Sequence, residues 1–135
     1  MVSENEGLAR RFFEELWNGG ELTVADELIA AEHVHHVGGQ ELSGPEAVRG
    51  AVTWLRTAFP DLRFEIDDLM SDEDRVALRW TASGTHLGPL EDLQPTGRYV
   101  EWKGTDWLRL RGGRIIEVWA FADGGVLLDQ LAAVS

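Results

Sequence analysis

A chain that carries Arg111-Gly112-Gly113-Arg114 between two long alternating segments has few folds open to it. Adjacent glycines permit the positive φ values of a short hairpin turn, so the flanking segments pair as antiparallel strands. The surrounding stretch, Gly84 to Leu131, reads as a strand end, a loop, these two strands and a closing helix. Everything upstream can then be read as packing for this hairpin.

Period-two alternation sets the faces of the first strand. Val100, Trp102, Gly104, Asp106, Leu108 and Leu110 share one side, and Tyr99, Glu101, Lys103, Thr105, Trp107 and Arg109 share the other. The first side is apolar except for Asp106. A carboxylate on a core-facing row has to be paired, hydrogen-bonded or protonated, because burying an unpaired charge costs several kcal/mol. Asp106 is therefore the first candidate functional residue.

With 135 residues, 44% hydrophobic content and no long polar tract, repeat or linker, the chain fits a single domain spanning 1–135. No apolar run approaches the ~20 residues that cross a bilayer. The opening MVSENEGLARRFF lacks the basic end and apolar core of a signal peptide, so the expectation is a soluble, cytoplasmic protein with no membrane partner. Without cysteine there are no disulfides, thiol catalysis or thiolate metal sites. A formal net charge of -12, with 12 Lys and Arg scattered among 24 acids, argues against a nucleic-acid partner.

In chain order, Ser3 and Glu6 form a capping box ahead of a helix whose apolar face is Leu8, Ala9, Phe12, Phe13, Leu16 and Trp17, stopped by Asn18-Gly19-Gly20. A second helix is expected from Thr23 to about Ala31. Glu32-His33-Val34-His35-His36-Val37, closed by Gly38-Gly39, reads as a short strand or extended loop. In a strand His33 and His35 share the face of Val37, with His36 opposite. A metal site would need further ligands that nothing nearby clearly supplies, so the expectation is no metal, one pocket histidine and two ordinary surface ones.

Ser43-Gly44-Pro45-Glu46 is a second capping box, opening a helix with Val48, Val52, Leu55 and Phe59 buried and ended by Pro60. Leu62, Phe64, Ile66 and Met70 then alternate with Arg63, Glu65 and Asp67 as a strand, and Val76, Leu78, Trp80 and Ala82 form the inward row of the next. The order predicts an α+β domain: a curved sheet with helices on one side.

Several of these residues also resemble a known family. Val34-His35-His36, Gly44-Pro45-Glu46, Gly84-Thr85-His86-x-Gly88, Pro95-Thr96-Gly97 and Gly113-Arg114-Ile115 leading through Trp119 to Asp123 and Gln130-Leu131 are similar to the SnoaL-like polyketide and ester cyclases. The resemblance implies a cone-shaped α+β barrel of the nuclear transport factor 2-like superfamily, its mainly antiparallel sheet covered by N-terminal helices, commonly dimeric through that sheet. It also implies a hydrophobic small-molecule substrate in the cone, and ring closure by intramolecular aldol condensation without a cofactor.

In that family an aspartate on the last strand is the general acid/base. Counting forward from Gly113-Arg114-Ile115, its position falls on Ala120, which can neither accept nor donate a proton. Asp123 is the nearest remaining acid, although its place before Gly124-Gly125 and an apolar run favours a helix N-cap. Asp106 falls where the family carries a pocket-lining polar residue on the neighbouring strand, so alternation and family position agree on it. His36 could pair with Asp106 as an acid-base dyad, and Arg79 could receive a substrate carboxylate or enolate oxygen or simply face outward. His86 occupies the family's GTH position, as a binding residue or as a ring that fixes the adjacent loop. Trp102, on the face of Asp106, is the expected pocket wall; Trp119 and Ala120 point to opposite sides.

Three functions follow as expectations. The first is a cofactor-free acid-base enzyme of the cyclase or isomerase type, with Asp106, aided by His36, replacing the missing aspartate. The second is a hydrophobic small-molecule binding protein that has lost its catalytic group. The third is an epoxide hydrolase-like enzyme, for which no clear Asp-Arg-Asp constellation is present.

Overall fold

The computed structural model describes residues 2–132, with side chains from Glu4 onward. The chain opens with helix α1 (Val2–Arg11), which widens into a π-helical segment over Phe12–Asn18. There Gly19 N–H donates to Glu14 O at 3.0 Å and Glu21 N–H to Glu15 O at 3.0 Å. The predicted apolar face holds, with Ala9, Phe12, Phe13, Leu16 and Trp17 all buried. The Ser3 side chain lies outside the described residues, and Glu6 accepts instead from the Ser71 hydroxyl, at 2.6 Å.

A 3₁₀ turn (Leu22–Val24) leads to the short helix α2 (Ala25–Leu28) and then to strand β1 (Ile29–Val37). The helix expected to reach Ala31 stops at Leu28 because Ile29 turns extended, at φ -114° and ψ 129°, and pairs with Ile115. Gly38 and Gly39, at φ 56° and 77°, do not merely end the strand. They make a hairpin turn of the kind seen at Gly112-Gly113, and strand β2 (Gln40–Ser43), absent from the sequence reading, folds back on β1.

Helix α3 (Gly44–Ala58) follows, with Pro45 in its first turn. The Ser43 side chain makes no capping bond, and Glu46 instead accepts from Arg49 at 2.8 Å. Strands β3 (Arg63–Ser71), β4 (Arg75–Thr85), β5 (Tyr99–Arg111) and β6 (Arg114–Ala122) complete the sheet before helix α4 (Gly124–Ala132). The strand order is β2-β1-β6-β5-β4-β3, antiparallel except for β1 beside β6. The α+β architecture with N-terminal helices over a curved sheet is as expected. The sheet is open, however: β2 and β3 are its edges, so no barrel closes.

On β5 the buried residues are Val100, Trp102, Asp106, Leu108 and Leu110, which matches the predicted row. On β3 a register shift between Ile66 and Asp68 inserts a residue, so that Leu69 pairs with the inward Leu78 while Met70 is left 72% exposed. Met70 had been expected inside. Phe12, Phe13, Leu16, Val48, Val52 and Phe59 from the helical side meet Leu78, Trp80, Trp102, Leu108 and Val118 of the sheet in one core.

Candidate functional site

The register of three strands builds the environment of Asp106. On the inner face it lies directly across from Ala120 of β6 and from Leu78 of β4. One step along, Trp80 pairs with Gly104, and a Cβ on Gly104 would collide with the Trp80 ring and with the carbonyl oxygen of Phe121. The bare glycine lets the indole lie down on β5, and Trp80 Nε1 donates to Asp106 Oδ1 at 2.9 Å.

Asp106 is 5% exposed, and among the described residues this indole is its one hydrogen-bond donor and no cation pairs with it. Burial pushes its pKa up to about 7, and the indole N–H offsets only part of that rise. Among the described residues the sealed side-chain atoms without a partner are Trp17 Nε1, His33 Nε2, His35 Nδ1 and His86 Nε2. Oδ2 of Asp106 is not one of them and has no bond, so it keeps contact with accessible space.

The expected dyad partner His36 and the candidate substrate cation Arg79 lie elsewhere. His36 pairs with Trp119 on the outer face, stacks on it at 5.3 Å and 11°, and donates to Glu117 at 2.7 Å. The His36–Asp106 dyad therefore does not form, because His36 is one position out of phase with the inward row His33, His35 and Val37 of β1. Arg79 is also on the outer face, bonded to Asp68 at 3.3 Å. An outer-face hollow of about 300 Å³ is lined by both Arg79 and Asp106. Its other walls include Met70, Thr105, Trp107 and Phe121 of the outer face, together with Leu69 and Leu78 of the inner row.

Trp102 is buried against Phe59, with ring centroids 5.2 Å apart, and serves as core. His86 is buried and its Nδ1 accepts from the Thr96 N–H at 3.1 Å, while its backbone N–H donates to Arg98 O at 2.9 Å. It pins the loop before β5, the structural alternative given above. Asp123 Oδ1 accepts from Val126 N–H at 3.1 Å, capping α4 at an exposed position, which is the capping role and not a place in the site. Ala120 lines a hollow of about 400 Å³ together with His36, Val37 and Glu41.

A larger cavity, about 670 Å³, opens between α3 and the β1–β2 hairpin. Trp17, His35, Val37, Leu42, Trp54 and Leu55 wall it, and Glu91 is the one carboxylate or cation in the lining. Two of the three clustered histidines were expected at the surface, yet both His33 and His35 are buried, His35 to 4%. Burial, reinforced by neighbouring His33 and His36, drives its pKa down to about 3 and keeps the ring neutral. His33 is fully buried and donates from Nδ1 to Ile115 O at 3.0 Å. The alternation had placed His33 and His35 together with Val37; what the sequence did not reveal is that this is the inner face, since that depends on β1 docking beside β6.

The sequence profile of the SnoaL-like polyketide cyclase family matches residues 7–131. Aklanonic acid methyl ester cyclase DnrD of Streptomyces peucetius is 30% identical over 119 residues, covering 84% of this chain and 81% of DnrD. AclR, a candidate hydroxylase from Streptomyces galilaeus, superposes with a TM-score of 0.87 at 31% identity, over 100% of this chain and 87% of AclR. A candidate SnoaL-like polyketide cyclase from Jannaschia sp. CCS1 gives a TM-score of 0.91, covering 99% of this chain and 95% of its own; at 22% identity that similarity is one of fold. By profile, relatives and fold together, this chain belongs to the SnoaL-like polyketide cyclase family.

Proposed function

We propose that this protein is an acid-base enzyme of the cyclase or isomerase type, acting without a cofactor on a hydrophobic, polyketide-like small molecule, with Asp106 as its proton-transfer group. The observation that carries the reading is the buried Asp106 carboxyl, held by one indole N–H and no cation, directly across from Ala120. If Ala120 occupies the position of the family's aspartate, the carboxyl has moved by one strand on the same row, a Cβ separation of about 5 Å. A group with a pKa near 7 is populated in both forms at neutral pH, as a proton shuttle requires.

In ring closure, the Asp106 carboxylate takes a proton from the carbon beside a substrate carbonyl. The resulting carbanion forms a carbon–carbon bond to a second carbonyl within the molecule. The alkoxide so made takes the proton back from Asp106, and no net proton is consumed. Aklanonic acid methyl ester, the molecule in DnrD's name, is the first substrate to assay, by chromatography of the product. Asp106→Asn should lower kcat/KM by ~10²–10⁴. An unchanged rate in that variant would remove Asp106 from the mechanism.

A second reading, ligand binding without chemistry, is favoured by the absence of Asp106 from the lining of the 670 Å³ cavity. Wild-type protein that binds such esters and never turns them over would establish it. In either reading the chain is taken to act as a homodimer through the outer face of its sheet.

A further inference from the structure

Asp106 meets one indole, and the seating of that indole decides which carboxyl oxygen can move a proton. Trp80 points inward from β4 and is 4% exposed. Its ring lies against Gly104, the residue paired with it on β5, where any Cβ would strike the ring. Phe64 of β3 stands edge-on to the same ring, with centroids 4.8 Å apart and planes at 78°. Phe64 is itself held, because its backbone N–H and carbonyl are both bonded to the Asn18 side chain. The indole is therefore pinned between β3 and β5, with Nε1–H aimed at Asp106 Oδ1 at 2.9 Å.

A carboxyl oxygen that accepts from a nitrogen donor is the carbonyl-like one, so the transferable proton of the acid belongs on the other oxygen. That other oxygen is Oδ2, which is not sealed. No charge competes with the indole for control of the group. Leu78 of β4 and Ala120 of β6 face Asp106 across the ladder, and on the outer face Arg79 is spent on Asp68 at 3.3 Å. The residues that α4 buries are Leu127 and Leu131, while Asp123 caps that helix at an exposed position. Burial favours the acid form of Asp106 and the indole N–H favours the carboxylate, with no charged group of a packed element adding to either.

We propose that Trp80 is the positioning residue of the proton-transfer group: its indole N–H holds Oδ1 as a permanent acceptor and leaves Oδ2 as the one oxygen that takes up and releases the proton. The inference rests on the reading of Asp106 as the acid-base group and adds how that group is oriented. In ring closure Oδ2 takes the proton from the carbon beside the substrate carbonyl and returns it to the alkoxide, while Oδ1 stays bonded to Nε1–H throughout. Gly104 belongs to the same device, since a side chain there would push the indole away from Asp106.

The test keeps the positioning role and the underlying reading apart. The indole N–H resonances of isotope-labelled full-length protein are followed across neutral pH, and the Trp80 signal is assigned by its loss in Trp80→Phe. It should move in one step with a midpoint near 7 in the wild type and stay still in Asp106→Asn. Trp80→Phe withdraws the donor that favours the carboxylate, so the pH profile of kcat for ring closure should move to higher pH by about one unit. KM should be unchanged, because Trp80 is not among the residues that wall the 670 Å³ cavity. The Asp106 carboxyl carbon resonance should show the same upward shift, and it needs no substrate. Replacing Trp80 by 3-benzothienylalanine, which keeps the ring shape and lacks the N–H, should reproduce both shifts even where Trp80→Phe fails to fold. An unchanged rate in Asp106→Asn overturns the reading of Asp106 on which this inference stands. With Asp106→Asn inactive, a Trp80 resonance that ignores pH, or an Asp106 titration that stays in place in the Trp80 variants, overturns the positioning role alone.

Discussion

Two buried titratable groups pull the stability of this protein in opposite directions with pH. Asp106 has a folded pKa near 7 against an ordinary value of 3.8. Between those values the unfolded chain gives up the proton first, so stability falls as pH rises from about 4 to about 7 and stays reduced above. His35 has a folded pKa near 3 against an ordinary 6.5, so its unfolded form takes up a proton first on acidification. Its contribution to stability is complete above about 6.5 and is lost as pH falls toward 3. Asp106→Asn abolishes the first slope. Thermal unfolding should show the variant gaining on wild type between pH 4.5 and pH 8, by a few kcal/mol at the upper end. A stability difference that ignores pH would mean the carboxyl is solvated or paired.

At the scale of elements, the site depends on how helix ends are held. The widened turn over Phe12–Asn18 is braced by Arg56 of α3, which donates to Trp17 O at 3.1 Å and to Asn18 O at 2.7 Å. Asn18 in turn exchanges two hydrogen bonds with the backbone of Phe64, one of 2.9 Å and one of 2.6 Å, which ties the helix to edge strand β3. These contacts fix Trp17 in the cavity wall. Helix α3 forms the opposite wall and carries Gly50 in its interior, where glycine costs roughly 0.5–1 kcal/mol relative to alanine. A Cβ there enters open space. Gly50→Ala should therefore raise Tm by about 2–4 °C in a thermal melt, with the fold unchanged. A lower Tm would contradict a regular helix at that position.

Taken as a whole, the molecule has two unlike sheet faces. The inner one holds the core and the candidate site. The outer one carries the row Met70, Ala77, Trp107, Trp119 and His36, each paired across to the next strand. Met70 is 72% and Phe121 67% exposed, while Arg75 and Arg109 lie over the rings of Trp107 and Trp119 at 5.6 Å each. An apolar patch rimmed by charge on an otherwise acidic chain is suited to self-association. Sedimentation of the wild type should give twice the chain mass, and Phe121→Lys should shift it to the monomer with the circular dichroism spectrum preserved. A monomeric wild type at high concentration would refute the dimer. Among the described residues no helix is long and apolar enough to cross a membrane.

Local pattern determined much of this protein. Alternation fixed the faces of β4 and β5, and with them the inward place of Asp106, because side-chain direction in a strand follows from parity alone. Glycine pairs fixed the β5–β6 turn, and the same signal at Gly38-Gly39 could have found β2. Parity does not say which side of a strand meets the core, so the inward turn of His33 and His35 and the outward turn of His36 waited on the pairing of β1 with β6. Nor could it foresee the extra residue in β3 that exposes Met70, since a bulge answers to the neighbouring strand. The contact of Trp80 with Asp106, and the cavity beside His35, exist only once distant segments are brought together; tertiary packing decided them because they are set by distance across the fold and not by order along the chain.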